Sequence, residues 1–357
     1  MRIDQLVPAF HRGDAVGDEA FELKQFLRSQ GHASEIYCLT RDPGLEDQAK
    51  LFSEFPPPSR ADIILLHFAL PSALTVALIQ CPSKKAIIYH NITPPEFFAD
   101  SNPHMANLAR LGRAELQSLQ PHVDLGLADS EYNRLELDEL GFRNTHVFPL
   151  FIDFAKYEKP MSEFLYNMFR DDRTNILFVG RIAPNKKIEK LIKVAFYYKK
   201  YISPLMRLII VGKTKTFPDY YDSVVRMADE FYLKSEEVRF LGHVPDQELF
   251  ALYRASDVFL SLSKHEGFCL PLMESMIFDL PIIALNSTAV PNTLGEAGIL
   301  INNSRPDYVA ELVDVAAHDT ALRQRLIESG RRELRSFKEF KREEFLLQQL
   351  KKLGRAG

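Results

Sequence analysis

Short apolar runs without polar alternation recur along the chain, each followed by an amphipathic stretch. An alternating strand has one wet face, whereas a run apolar at every position needs cover on both faces, as in a parallel sheet wrapped by helices. In the first half, strands are predicted at Ile3–Phe10, Ser34–Leu39, Ala61–His67, Lys85–Tyr89 and Asp124–Ala128. A loop with Gly13 and Gly17 follows the first run, and a helix is expected from about Asp18 to Gln30, stopped by Gly31. The pattern restarts at Ile176–Val179 and continues at Arg207–Val211, Val238–Leu241, Val258–Ser261 and Pro281–Ala284. Helices are predicted between these runs at about Lys187–Tyr201, Tyr220–Tyr232, Asp246–Arg254 and Pro271–Phe278. Strand–helix alternation of this kind gives an α/β class of two doubly wound, Rossmann-like domains.

Length agrees, since 357 residues exceed one ordinary core. The expected division is an N-terminal domain over 1–155, a polar hinge over 156–175, a second domain over 176–335 and a basic amphipathic helix over 336–357 that crosses back. A net charge of −4 argues against a dedicated nucleic-acid binder. Cys38, Cys81 and Cys269 are far apart and form no C-x-x-C pair, so neither a zinc ribbon nor a disulfide framework is expected. No secretory leader is read at the N-terminus, and the apolar run Ile63–Leu70, interrupted by His67, is too short to span a bilayer. A cytoplasmic-type protein is expected. From Ala321 to Gly357 there are eleven Lys/Arg against five Glu, with Leu334, Phe337, Phe340, Phe345, Leu346 and Leu350 at helical spacing. Such a tail either docks on the protein by its apolar face or leans on an anionic membrane surface.

The most informative stretch is SKHEGFCLPLMESMIF, Ser263–Phe278. A strand enters a loop carrying Glu266 and Gly267, and Pro271 then suits the first turn of a helix, where its missing N–H has no partner to lose. Unpaired N–H groups and the helix dipole at such a start seat a phosphate, and Gly267 allows close approach. Glu274, placed in the first turn, can hold two hydroxyls of a ribose through its two oxygens. Alone, the two glutamates also read as an exposed loop residue and a helix-capping one. Opposite charge comes from FVGRIAPNKKIEKLI, where Arg181 lies just past a strand end and Lys186 before a helix. Ligands of doubly wound sheets bind beyond the carboxyl ends of the strands, where a planar guanidinium and a point ammonium suit a pyrophosphate. Lys187 reads as a solvated helix start.

Together these motifs resemble the donor-binding half of the retaining GT-B glycosyltransferases of family 4 (glycosyl transferases group 1). The resemblance runs through VGRIAPNKK, LGHVPDQEL, YRASDVFLSLSKHEGFCLPLMESM and AVPNTLGEAGIL, and more weakly through RGDAVGDEAFELKQFLRSQGH, YHNITPPEFF and ADSEYNRLEL. It implies two Rossmann-like domains facing a central cleft, an acceptor domain first and a donor domain second. By the same resemblance Glu274 holds the donor ribose, Glu266 the sugar hydroxyls, and Arg181 with Lys186 the diphosphate. The main chain at Phe268, Cys269 and Leu270 takes the distal phosphate, and that near Val244 lines the base pocket. Gly13 and Gly17 match the loop that closes on the donor, and His90 a histidine near the transferred sugar. The loop reads Gly-Asp-Ala-Val-Gly rather than having adjacent glycines, which leaves acceptor hydroxyls as its alternative contact.

Among further candidates, His265 contacts the base or caps its loop, Ser130 or Asp129 caps the helix Tyr132–Leu140, Asp257 is a structural acceptor, and Glu296 belongs to a turn. No Asp-X-Asp occurs, so no metal and no cofactor are expected, with cations and a helix N-terminus doing that electrostatic work. The implied activity is transfer of a hexose-type unit from a UDP- or GDP-linked sugar to a hydroxyl of a glycan, a lipid-linked glycan or a small molecule, with retention and in glycan biosynthesis. A nucleotide-sugar epimerase and a nucleotide-sugar binding protein without turnover share the same plan.

Overall fold

The computed structural model describes residues 2–355, so the last two residues of the expected terminal helix lie outside it. The apolar runs form strands β1 Ile3–Phe10, β2 Ile36–Arg41, β3 Lys50–Leu51, β4 Ile63–Phe68, β5 Lys84–Tyr89, β6 Leu125–Ala128 and β7 Thr145–Val147. They are followed by β8 Thr174–Val179, β9 Met206–Val211, β10 Val238–Gly242, β11 Val258–Ser261, β12 Ile282–Leu285 and β13 Ile299–Ile301. Two sheets result, ordered β3-β2-β1-β4-β5-β6-β7 and β10-β9-β8-β11-β12-β13. Every pairing between these strands is parallel. All residues of β4 and of β9 are buried, the outcome that apolar runs without alternation require. The short strands β3, β7 and β13 lie at or near sheet edges and carry too few apolar residues to stand out in the sequence.

The chain divides into two compact units, one holding residues 1–96, 104–153 and 340–357, the other 97–103 and 154–339. Two boundaries therefore differ from the sequence reading. Residues 97–103 belong to the second unit, where Phe98 stacks on Phe217 at 4.9 Å and the Asn102 amide donates to the Thr216 carbonyl at 3.0 Å. The expected hinge 156–175 is instead a structured part of that unit. It contains a 3-10 turn, Phe154–Glu158, and a helix, Glu163–Phe169, whose Ser162 cap accepts from the Leu165 N–H at 3.3 Å. Asn175 then donates to the carbonyls of Phe169 and Ala255, and Arg207 pairs with Asp171 at 2.6 Å. Polar composition here serves these tertiary bonds.

The basic tail is two helices, Thr320–Glu339 and Arg342–Arg355. The first belongs to the second unit, with Phe337 against Phe154 and Phe268. The second completes the N-terminal unit. Leu346, Leu350 and Leu353 are buried in one core with Ile3, Leu23, Leu27, Ile63, Leu65 and Ile88. Arg342 donates to the Leu150 carbonyl at 3.1 Å.

Leu350→Ala should therefore behave as a core truncation, lowering unfolding stability by about 2–5 kcal/mol. A denaturant titration that moves by less than about 0.5 kcal/mol, the range of surface changes, would show the helix to be a loosely held tail.

Candidate functional site

Strand order in the second sheet reverses between β8 and β11, both of which pair with each other while their chain connections leave in opposite directions. Beyond the carboxyl ends of strands at such a point there is room for a ligand. Gly180 and Arg181 follow β8, and the loop Leu262–Cys269 follows β11. Three strand ends are held close here. The Gly180 N–H donates to the Val211 carbonyl at 2.9 Å and the Gly212 N–H to the Gly242 carbonyl at 2.8 Å. A Cβ on Gly212 would fall 1.9 Å from the Gly180 carbonyl oxygen, so no side chain fits that position.

This geometry brings together residues 80 positions apart. Lys186 Nζ donates to both carboxylate oxygens of Glu266, each at 2.6 Å. The Glu266 loop is clamped from two sides. The Lys264 N–H donates to the Asn185 carbonyl at 2.8 Å, and the Asn185 amide donates to the His265 carbonyl at 3.1 Å. The Thr288 hydroxyl accepts from the Glu266 N–H at 2.8 Å and donates to its carbonyl at 2.9 Å. Arg181 is exposed at the same strand end, whereas Lys187 is a left-handed residue that pairs with Glu189. Val244 is half-buried beyond β10.

The helix opens at Leu270, one residue before Pro271, and runs to Ile277. Cys269 precedes it with φ +71°, a left-handed conformation costly for any residue but glycine and characteristic of ligand-facing turns. Phe268 and Cys269 are buried, and the Phe268 carbonyl accepts from the Thr293 hydroxyl. Burial pushes the Cys269 thiol well above its ordinary range.

Glu274 lies in the second helical turn, not the first. It is 5% exposed, and each of its oxygens accepts from a tyrosine: Oε1 from Tyr157 at 3.0 Å and Oε2 from Tyr253 at 2.7 Å. Burial raises its proton affinity, against the Lys156 charge and the two phenol donors. The sequence reading missed both tyrosines, which lie on elements 117 and 21 positions away and share no spacing rule with Glu274. A carboxylate has about four lone-pair positions, so this one keeps acceptor capacity for a ligand's hydroxyls while remaining fixed.

The N-terminal candidates are arranged differently. Gly13 is left-handed, but Gly17 belongs to the first turn of the helix Ala15–Ser29, where a Cβ would meet the His11 carbonyl at 1.9 Å. Asp14 caps that helix, accepting from the Val16 N–H at 3.1 Å, and Asp18 accepts from the Gly13 N–H at 3.1 Å. The expected loop from Gly13 to Gly17 is thus mostly helix start, because Asp14 is a strong N-cap. His90, just after β5, has both ring nitrogens engaged. Nδ1 meets Asp129 Oδ2 at 3.0 Å and Nε2 meets His67 Nδ1 at 3.0 Å. Burial disfavours its charge, but Asp129 and Glu19 outweigh that and raise its proton affinity. His67 is pushed the other way by burial and by the His90 charge. Asp129 therefore orients His90, while Ser130 caps the helix Glu131–Glu139 by accepting from the Asn133 N–H at 3.2 Å. Asp257 accepts from the Asn175 N–H at 2.8 Å, His265 is buried with its ring 6.0 Å from Phe97, and Glu296 is exposed with its N–H on Glu333.

Residues 167–333 match the family model described as glycosyl transferases group 1. Among curated proteins, the chain is 29% identical over 150 residues to the O-antigen chain mannosyltransferase B of Escherichia coli, covering 42% of this chain and 38% of that protein. It is 27% identical over 228 residues to a GDP-mannose-dependent alpha-mannosyltransferase of Mycobacterium tuberculosis, covering 63% and 55%. The chain thus spans less than two thirds of the length of these relatives. Among solved structures, the fold matches Anabaena HepE, captured with UDP and glucose, at a TM-score of 0.77 and 16% identity over 99% of this chain and 100% of that one. The fold is the GT-B architecture.

Tyr253→Phe removes one donor from the buried Glu274 carboxylate and should cost about 1.5–3 kcal/mol, the range for a hydrogen bond to a charged group. Thermal unfolding that leaves the midpoint unchanged would show that the Tyr253–Glu274 bond is not maintained in solution.

Proposed function

We propose, from the match of residues 167–333 to the glycosyl transferases group 1, that the chain transfers a hexose-type sugar from a nucleoside diphosphate donor to an acceptor hydroxyl with retention of configuration. The observation that carries this reading is the switch point of the second sheet, where Arg181, the Lys186–Glu266 pair and the Phe268–Leu270 helix start converge. A departing diphosphate develops charge on its bridging oxygen. Preorganised cations and N–H dipoles stabilise that charge more than they stabilise the bound donor, which is what lowers a barrier.

In this reading Arg181 and Lys186 face the diphosphate, and the main chain of Gly267, Phe268, Cys269 and Leu270 binds its distal phosphate. Glu266, released from Lys186 as the ammonium turns to phosphate, accepts from hydroxyls of the transferred sugar. Glu274 accepts from the ribose hydroxyls, and the strand end near Val244 takes the base. The bond from the anomeric carbon to the diphosphate breaks and a bond to the acceptor oxygen forms on the same face. The acceptor's proton passes to the leaving phosphate oxygen, so no separate base and no metal is needed in the donor-side step. Gly13 and Gly17 belong to a segment that contacts either the donor or acceptor hydroxyls. A role for His90 as a free acid or base near the sugar requires one of its two ring bonds to open.

UDP- or GDP-linked donors are the first to test, given HepE captured with UDP and the GDP-mannose-dependent relative. A glycan or lipid-linked acceptor fits the O-antigen relative. No helix among the described residues is long and apolar enough to cross a membrane. Leucines of the terminal helix are used in the core, so any attachment to a cytoplasmic membrane face rests on its basic side chains alone.

The test is a thermal-shift series with UDP, GDP and ADP without metal, on the native protein and on Glu274→Ala. A nucleotide at 100 times its dissociation constant adds about 2.7 kcal/mol, a rise of several degrees, and the expected result is a rise with one nucleotide that Glu274→Ala abolishes. Arg181→Ala and Lys186→Ala should each cut turnover about 10²–10³-fold, the loss typical of one charge-stabilising donor. Near-native turnover in both variants would remove their assigned roles, and no shift with any nucleotide would remove the donor site.

A further inference from the structure

We infer that the N-terminal unit holds a divalent transition-metal ion of the zinc class, ligated by His67 Nδ1, His90 Nε2 and Glu19 Oε2. The three residues come from β4, from the turn after β5 and from the helix after β1. His67 and Glu19 are 0% and 1% exposed. Among the described residues Glu19 Oε2 has no hydrogen-bond partner, although its companion oxygen accepts from the Phe151 N–H at 3.0 Å. The free oxygen points at the two rings, 3.6 Å from His90 Nε2 and 3.9 Å from His67 Nδ1.

The surroundings identify the ring nitrogens that face the carboxylate. The Gln5 amide nitrogen donates to the Ala20 carbonyl at 3.0 Å, so its oxygen is the atom facing His67 Nε2, at 2.8 Å. His67 Nε2 must then carry the proton, and Nδ1 the lone pair. Asp129 Oδ2 likewise accepts from His90 Nδ1, so Nε2 is the nitrogen that gives up its proton when an ion binds. The His67 Nδ1 and His90 Nε2 atoms face one another across 3.0 Å. A shared proton would satisfy the two nitrogens but not the carboxylate oxygen that converges with them. A tetrahedral ion with bonds of about 2.0–2.1 Å places its ligand atoms about 3.3 Å apart, and separations of 3.0, 3.6 and 3.9 Å bracket that value. Gln5 and Asp129 occupy the positions of outer partners that orient metal-bound imidazoles. Two imidazoles and a carboxylate select a borderline ion over magnesium or calcium, which prefer oxygen. A dication also balances the buried carboxylates of Glu19 and Asp129.

The test needs no nucleotide or acceptor, so its result is independent of the transferase reading. Full-length protein is stripped with a chelator and dialysed against Zn2+ or Co2+ in excess Mg2+, and bound metal is counted by elemental analysis. One equivalent per chain is expected, with tetrahedral Co2+ absorption bands and a raised unfolding temperature. His67→Gln and Glu19→Gln should abolish stoichiometric binding while keeping the native far-UV dichroism. Gln5→Leu, which leaves the three ligands in place but removes the acceptor of the His67 ring and the donor to the Ala20 carbonyl, should weaken binding about 10–100-fold. Less than about 0.1 equivalent in the native protein overturns the assignment, as does full binding in both ligand variants. Should those two variants fail to fold, unchanged affinity in Gln5→Leu overturns it. Imidazole 15N signals unmoved by one equivalent of Zn2+ overturn it in favour of a shared proton.

Discussion

The proposed donor site depends on how closely three strand ends approach each other in the second sheet. Gly180, Gly212 and Gly242 sit at the ends of β8, β9 and β10, and the Gly212 backbone passes so near the Gly180 carbonyl that a single methyl group would collide with it. That approach sets where the chain leaves β8 and hence where Arg181 and Lys186 emerge. The neighbouring β11 delivers Glu266 to the same place, because the strand order reverses between the two. A sheet that ran in one direction would send these connections apart.

The Lys186–Glu266 bond is a consequence with chemical content. Two charged groups assigned to opposite parts of one ligand, its phosphates and its sugar, hold each other through a doubly bonded pair. Each is thereby kept in position without a ligand, and the carboxylate is not left unpaired in a largely buried loop. Glu274 is managed similarly by Tyr157 and Tyr253. Preorganisation at this site is a matter of satisfying buried carboxylates from within the fold, since an unpartnered buried charge is costly. Glu19 in the N-terminal unit breaks that habit, with one buried oxygen that has no hydrogen bond among the described residues and lies beside two histidines.

Much of the architecture could be read from the residues. Apolar runs without alternation announced buried parallel strands, and β1 and β11 begin and end where the runs do. The order of strand, loop and helix around Lys186, Glu266 and Pro271 also matched, with Lys186 meeting Glu266 and a helix opening at Leu270. Boundaries failed where polar residues serve tertiary bonds: Asn175, Asp171 and Arg207 made a structured segment resemble a linker. The helix Ala15–Ser29 begins earlier than its apolar pattern because Asp14 caps it, drawing Gly17 out of the expected loop.

Local order along the chain was therefore enough for most strands and helices, because those follow from short-range periodicity. Partnership was decided only by folding. Tyr157 and Tyr253 meet Glu274, Leu350 meets Ile3, and Gln5, His67, His90 and Glu19 meet one another across separations that no spacing rule encodes. Parallel strands joined by crossovers place residues side by side according to strand order, and strand order is a property of the packed sheet rather than of any segment within it.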